Sequence, residues 1–171
     1  MQQPLKNIVL FLGVWFSIFS TGLPVFAASD IWQSPDGRIS VMMPASDLFQ
    51  KMDTVTTFNI AWGTPDGSLS IGVTSEPNPK LLPVDKPARE KVFVTATGAT
   101  ITYSEIDQTQ SVPVLKMMSK GRMGSTVVYS YQAIVAVGDK VYKAIAMSFD
   151  KDIKDIAPAM DFVDSLKVSA K

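Results

Sequence analysis

A chain of 171 residues with 46% hydrophobic and 19% charged residues, 16 cations balanced by 16 anions, has the composition of one ordinary folded domain. It contains neither cysteine nor histidine. Ser-His and Cys-His nucleophile pairs are therefore excluded, as are imidazole and thiolate metal sites, and the interspersed charges leave no basic stripe for nucleic acid.

The first element in chain order is a targeting segment. Lys6 precedes an uncharged run from Ile8 to Phe19, after which Gly22 and Pro24 break any helix. Val25-Phe26-Ala27 then places compact side chains three residues before and immediately before the bond to Ala28, the pattern that signal peptidase accepts. Residues 1–27 thus read as a signal peptide cleaved between Ala27 and Ala28, and residues 28–171 as a single exported domain, periplasmic or extracellular. An uncleaved anchor is the alternative, because uncharged sequence runs from Asn7 to Ser29, close to the roughly 20 residues that cross a bilayer. The apolar part before Gly22 is short for such a span. No cysteine follows it for lipid attachment, and no paired arginine marks a twin-arginine route. Removing 27 of 171 residues leaves 144, with 15 Lys or Arg once Lys6 is gone against 16 Asp or Glu. A domain of that size buries about 68 to 70% of its unfolded surface and can fold without disulfides in an oxidising compartment.

Two turn motifs of one kind open the mature chain. Ser34-Pro35-Asp36-Gly37 separates Ile31-Trp32-Gln33 from Arg38 to Met43, and Thr64-Pro65-Asp66-Gly67 separates Val55 to Trp62 from Ser68 to Val73. Both predict hairpins. Glu76 to Pro87 holds Pro77, Pro79, Pro83 and Pro87, which remove backbone donors and predict an extended surface connection with little strand pairing. Within it, Leu81 and Leu82 are the candidate partner contact. Either one of them tucks into the sheet edge as a loop anchor, or both form an exposed apolar patch on a stiff frame.

A helix from about Lys86 to Thr97, ended by Gly98, is expected to bury Val92, Phe93 and Ala96, although Val92-Phe93-Val94-Thr95 favours strand. Strands follow around Thr100 to Ile106 and Val112 to Met118. Gly138-Asp139 is a two-residue hairpin turn between Thr126 to Val137 and Lys140 to Phe149. Pairing across it sets Val135 opposite Tyr142, Ala133 opposite Ala144 and Tyr131 opposite Ala146 on one face. The other face pairs Ala136 with Val141, Gln132 with Ile145, Ser130 with Met147 and Val128 with Phe149. Both faces are largely apolar, so both should be covered. Last, Asp155 is expected to cap a helix with Pro158 in its first turn and Ala159, Phe162, Val163 and Leu166 toward the core. The fold class is α+β: a mainly antiparallel sheet of about five to seven strands with helices packed on it.

The opening Trp32-Gln33-Ser34-Pro35-Asp36-Gly37-Arg38-Ile39-Ser40-Val41-Met42-Met43-Pro44 resembles the start of PsbP-like domains, with an aromatic, a turn, a short strand and a proline. The ending Phe162-Val163-Asp164-Ser165-Leu166-Lys167-Val168 is similar to their closing helix, with Leu166 where phenylalanine is more usual. The resemblance implies an α/β/α sandwich. It also implies an accessory or protein-binding role, since no set of catalytic residues belongs to the superfamily.

Ser148-Phe149-Asp150-Lys151 fits S-x-x-K on paper, but the companion S-D-N and K-T-G elements are missing, Ser46-Asp47-Leu48 being a partial echo. Asp150, Asp152, Asp155 and Asp161 suggest calcium, yet Lys154 at the fifth loop position and the lack of glycine at the sixth exclude an EF-hand. The pairs Met42-Met43 and Met117-Met118, with Met123, lack the M-x-M or M-x-x-M spacing of a Cu(I) site and read as core filling. Trp32 and Trp62 either line a ligand groove or, as strand aromatics do by default, fill the core. No cofactor and no metal is expected. The resulting expectation is an exported, non-enzymatic module whose partner is another protein, with no nucleic acid and no membrane once the signal peptide is removed. A carrier enclosing a small apolar ligand is the alternative, and a Ser-Lys hydrolase a third.

Overall fold

The computed structural model describes residues 31–43, 49–52 and 58–169. The signal segment, with its Ala27–Ala28 bond, and the start of the strand expected from Val55 lie outside them.

The two Pro-Asp-Gly turns are built alike. Ser34 Oγ donates to Asp36 at 2.8 Å and accepts the Arg38 and Ile39 amides. Thr64 Oγ1 donates to Asp66 at 2.6 Å and accepts the Leu69 amide. The chain reverses at Gly37 and Gly67, whose φ of +68° and +71° glycine alone adopts freely.

These turns serve different sheets. β1 (Ile31–Gln33) and β2 (Ile39–Met42) pair with the last strand, β10 (Lys167–Val168), in a separate three-stranded antiparallel sheet. The first hairpin is thus not part of the main sheet, because Ile39 and Val41 pack as a lid on its core. The main sheet has seven antiparallel strands. Their sequence ranges are β3 (Gln50–Lys51), β4 (Phe58–Gly63), β5 (Leu69–Pro77), β6 (Thr100–Asp107), β7 (Val114–Met123), β8 (Thr126–Val137) and β9 (Lys140–Phe149), and their spatial order is β3-β4-β5-β9-β8-β7-β6. The β8–β9 register is the one expected, with Val135 opposite Tyr142 and Gln132 opposite Ile145. β5 continues through Glu76 and Pro77, paired with Val141 and Lys140. The first residues of the proline-rich connection are therefore strand, since Pro77 at a strand end costs little pairing.

One face of the sheet carries the main core. Ala133, Ala144 and Ala146 are buried there between Tyr131 and Tyr142, and these short side chains let the helix α2 (Ala157–Asp164) lie close on β8 and β9. Ala159, Phe162, Val163 and Leu166 point into that core as expected. Asp155 does not cap α2. It ends a 3-10 turn, Ile153–Asp155, whose own cap is Asp152, and Ile156 opens the helix without a side-chain bond. The buried Ile153 explains the insertion, because the turn sinks it into the core before α2 begins.

The second face carries Leu115, Ile134 and Val141, with Val84 packed on them. The helix α1 (Lys86–Thr97) crosses it, with Asp85 accepting the Ala88 amide at 3.0 Å and Gly98 donating to the Val94 carbonyl. Helices on the two faces make the α+β sandwich. Yet α1 reverses the expected polarity: Val92 and Ala96 are exposed and Phe93 is only half-buried. The residues less exposed, at i, i+3, i+4 and i+7, are Lys86, Arg89, Glu90 and Phe93. Adjacent residues diverge by about 100° around a helix, so Val92-Phe93-Val94 can aim only one side chain at the sheet. Ionic partners on the sheet, described below, decide which stripe faces inward. The outer edge of β6 is blunted by a bulge between Ile101 and Tyr103 and by exposed Glu105.

Candidate contact surface

The tip of the β8–β9 hairpin is a hub that holds two other parts of the molecule. Arg38 reaches from the first turn to the Val137 carbonyl at 3.1 Å and to the Asp139 carboxylate. Asp36 beside it accepts Lys140 Nζ at 3.0 Å and the Tyr142 hydroxyl. Burial works against the Asp36 charge, but the Tyr142 and Ser34 hydroxyls, Lys140 and the Arg38 amide outweigh it and hold the carboxyl well below the usual carboxylate range. The small sheet is clasped to the large one there.

The same tip holds the proline-rich connection through Asn78. Its amide N–H donates to the Asp139 carbonyl at 2.6 Å, and its side chain bridges the connection by donating to the Leu82 carbonyl at 2.9 Å and accepting the Leu82 amide at 3.2 Å. Leu81 sits at φ +51°, a conformation rare for a leucine, closed by its amide on the Asn78 carbonyl. Pro79 and Pro83 stiffen the rest. The result is that Leu81 and Leu82 both point outward, 65% and 57% exposed. Neither is a loop anchor. Val84 takes that part instead, on Leu115, Ile134 and Val141.

Next to this corner α1 is fixed by charge. Glu76 of β5 accepts Arg89 of α1 and Lys143 of β9, the latter at 3.0 Å. Burial raises the Glu76 carboxyl, and the two cations more than offset it, so it stays ionised. Lys86 and Glu90 pair along the helix. With the inward stripe polar, Val92 and Val94 are left exposed on opposite flanks of α1, about 200° apart around the helix. The contact candidate therefore stays the Leu81–Leu82 corner, held by Asn78. Glu76 gave no separate sequence signal, whereas the Asn78-Pro79 dipeptide is a turn marker that could have been weighted.

The other singled-out residues lie elsewhere. Ser148 is buried in β9 while Lys151 is exposed, which keeps the hydroxyl from a substrate in this conformation. Among the described residues no group of three or more Asp or Glu side chains converges on a metal position. Trp62 is buried edge-on against Phe162, with ring centroids 6.2 Å apart, and Trp32 packs half-buried on the same core. Met117 and Met147 are buried on the second face, and Met42 is exposed.

No protein-family model matches this sequence, and no curated protein matches it. Solved structures do share its fold. LpqN, a protein involved in cell envelope biogenesis of Mycobacterium tuberculosis, aligns with 83% of this chain and 91% of its own, at a TM-score of 0.53 and 10% identity. A protein of Bacteroides thetaiotaomicron VPI-5482 aligns with 84% of this chain at a TM-score of 0.54 and 9% identity. The chain spans half the length of that Bacteroides protein. At such identities the likeness is one of fold alone.

Proposed function

We propose that this chain is an exported, PsbP-like accessory domain that works by contact with another protein and not by catalysis, using the exposed corner formed by Leu81 and Leu82. The observation that carries this reading is the held exposure of the leucine pair. Two adjacent leucines kept in water by an asparagine staple, two prolines and a positive φ are an arrangement that a folded domain gains nothing from by itself. A stiff apolar corner loses little freedom on binding, so more of its contact energy appears as affinity.

Two further facts support the assignment of class and place. The stretches that carry the PsbP-like resemblance meet in one sheet, with Lys167 and Val168 paired to Ser40 and Ile39. The fold occurs in LpqN, a protein involved in cell envelope biogenesis, a role compatible with export after cleavage at Ala27–Ala28. Among the described residues no helix is long and apolar enough to cross a membrane.

The test replaces Leu81 and Leu82 together with serine in the native host. Both side chains already face water, so the melting temperature should stay within about 1 to 2 °C of wild type, while co-purifying protein is lost. Retention of the same partners on the folded variant would defeat the assignment.

A further inference from the structure

The second face of the sheet contains a polar group that the fold leaves without a partner. Gln132 is 4% exposed, and its Nε2 makes no hydrogen bond. Cross-strand neighbours in the same row are Met117 on β7 and Ile145 on β9. Beyond Met117 stands Ser104 of β6, whose hydroxyl also lacks a hydrogen bond of good geometry, although it lies near enough to Glu90 to help keep that carboxyl ionised. By contrast, Ser119 and Ser130 in the next row satisfy each other at 2.7 Å. An unmet buried amide donor is costly, and its two cross-strand neighbours, Met117 and Ile145, offer it only thioether and hydrocarbon.

The element across this face is the one least committed to it. No side chain of α1 is fully buried, and the helix is held by the Glu76–Arg89 ion pair and half-buried Phe93 in place of an apolar stripe. It leaves through Gly98, at φ +66° with nothing within 4 Å of where a Cβ would stand. A helix attached in that way opens at low cost.

We propose that the middle of the second sheet face, beneath α1, binds a small apolar molecule bearing a hydrogen-bond acceptor, with Gln132 Nε2 meeting the acceptor and α1 serving as the flap. Met117 and Ile145, the cross-strand neighbours of Gln132, supply the apolar walls. This site is separate from the Leu81–Leu82 corner and does not depend on the reading of that corner.

A matched pair of fluorescent dyes tests it on the full chain. 8-Anilinonaphthalene-1-sulfonate carries acceptor oxygens, and N-phenyl-1-naphthylamine has the same rings without them. Both should bind the wild type. Gln132→Leu should weaken the sulfonate about three- to tenfold, the range for one lost hydrogen bond, and leave the amine unchanged. Its urea midpoint should not fall, because the variant removes an unsatisfied donor. Arg89→Met should tighten the uncharged amine by raising the open population. The proposal is overturned if neither dye binds the wild type, if Gln132→Leu changes both dyes equally or neither, or if Arg89→Met leaves amine binding unchanged. Loss of binding in the Leu81→Ser, Leu82→Ser protein would likewise overturn it, by locating the dyes on the outer corner.

Discussion

Phe162→Ala should lower the unfolding free energy by about 3 to 5 kcal/mol, the range for removing a buried phenyl ring, and shift the urea midpoint accordingly. Phe162 is fully buried where three parts of the core meet: α2 supplies it, Trp62 of β4 receives it edge to face, and the small sheet closes over it through Ile39 and Val41. None of these can collapse into the gap easily, since α2 already lies on alanines. Domains of ordinary stability hold about 5 to 15 kcal/mol, so the loss is a large fraction of the total. An unchanged midpoint would mean that α2 is not docked as described.

The second large effect is pH-dependent and centres on Asp36. Its carboxyl is harder to protonate in the folded chain than in the unfolded one, because the Tyr142 hydroxyl and Lys140 favour its charge. The stabilisation from such a group is complete above the unfolded value of about 4 and is lost as pH falls toward the lower native value. Asp66 and Asp107, both held at about 2 by neighbouring hydroxyls and amides, act in the same sense. Asp36→Ala should cost about 1 to 3 kcal/mol at pH 7, since it leaves the Tyr142 hydroxyl without its acceptor. The difference from wild type should shrink between pH 4 and pH 2. A gap in urea stability that stays constant over that interval would show that the clasp does not depend on the Asp36 charge.

Local rules made much of the fold legible. The Gly138-Asp139 turn set the register of two long strands because a two-residue hairpin leaves one pairing that keeps side-chain alternation, and Val135 does stand opposite Tyr142. α1 was legible in its bounds, Lys86 to Thr97 with Gly98 ending it, but not in its orientation. The inward stripe depends on Glu76 and Lys143, which are far from α1 in sequence or on another strand, and no periodicity within the helix reports them. The separation of β1 and β2 from the main sheet was hidden for the same reason, since their partner β10 lies at the other end of the described chain. Of the contact surface, the leucines were visible and their exposure was not. Whether Leu81 faced in or out turned on Asn78, which holds Leu82 by its side chain and closes the Leu81 turn by its carbonyl.

The contact function is tested most directly by placing a photoreactive benzoylphenylalanine at single positions and irradiating intact cells of the native host. Position Leu82 lies on the proposed surface, while Asp66 occupies an exposed turn after β4, in another part of the fold. The account predicts one discrete cross-linked protein from position 82, absent from position 66 and lost when Leu81 is also changed to serine. Equal adducts from both positions, or none from 82 with the protein folded and exported, would contradict it.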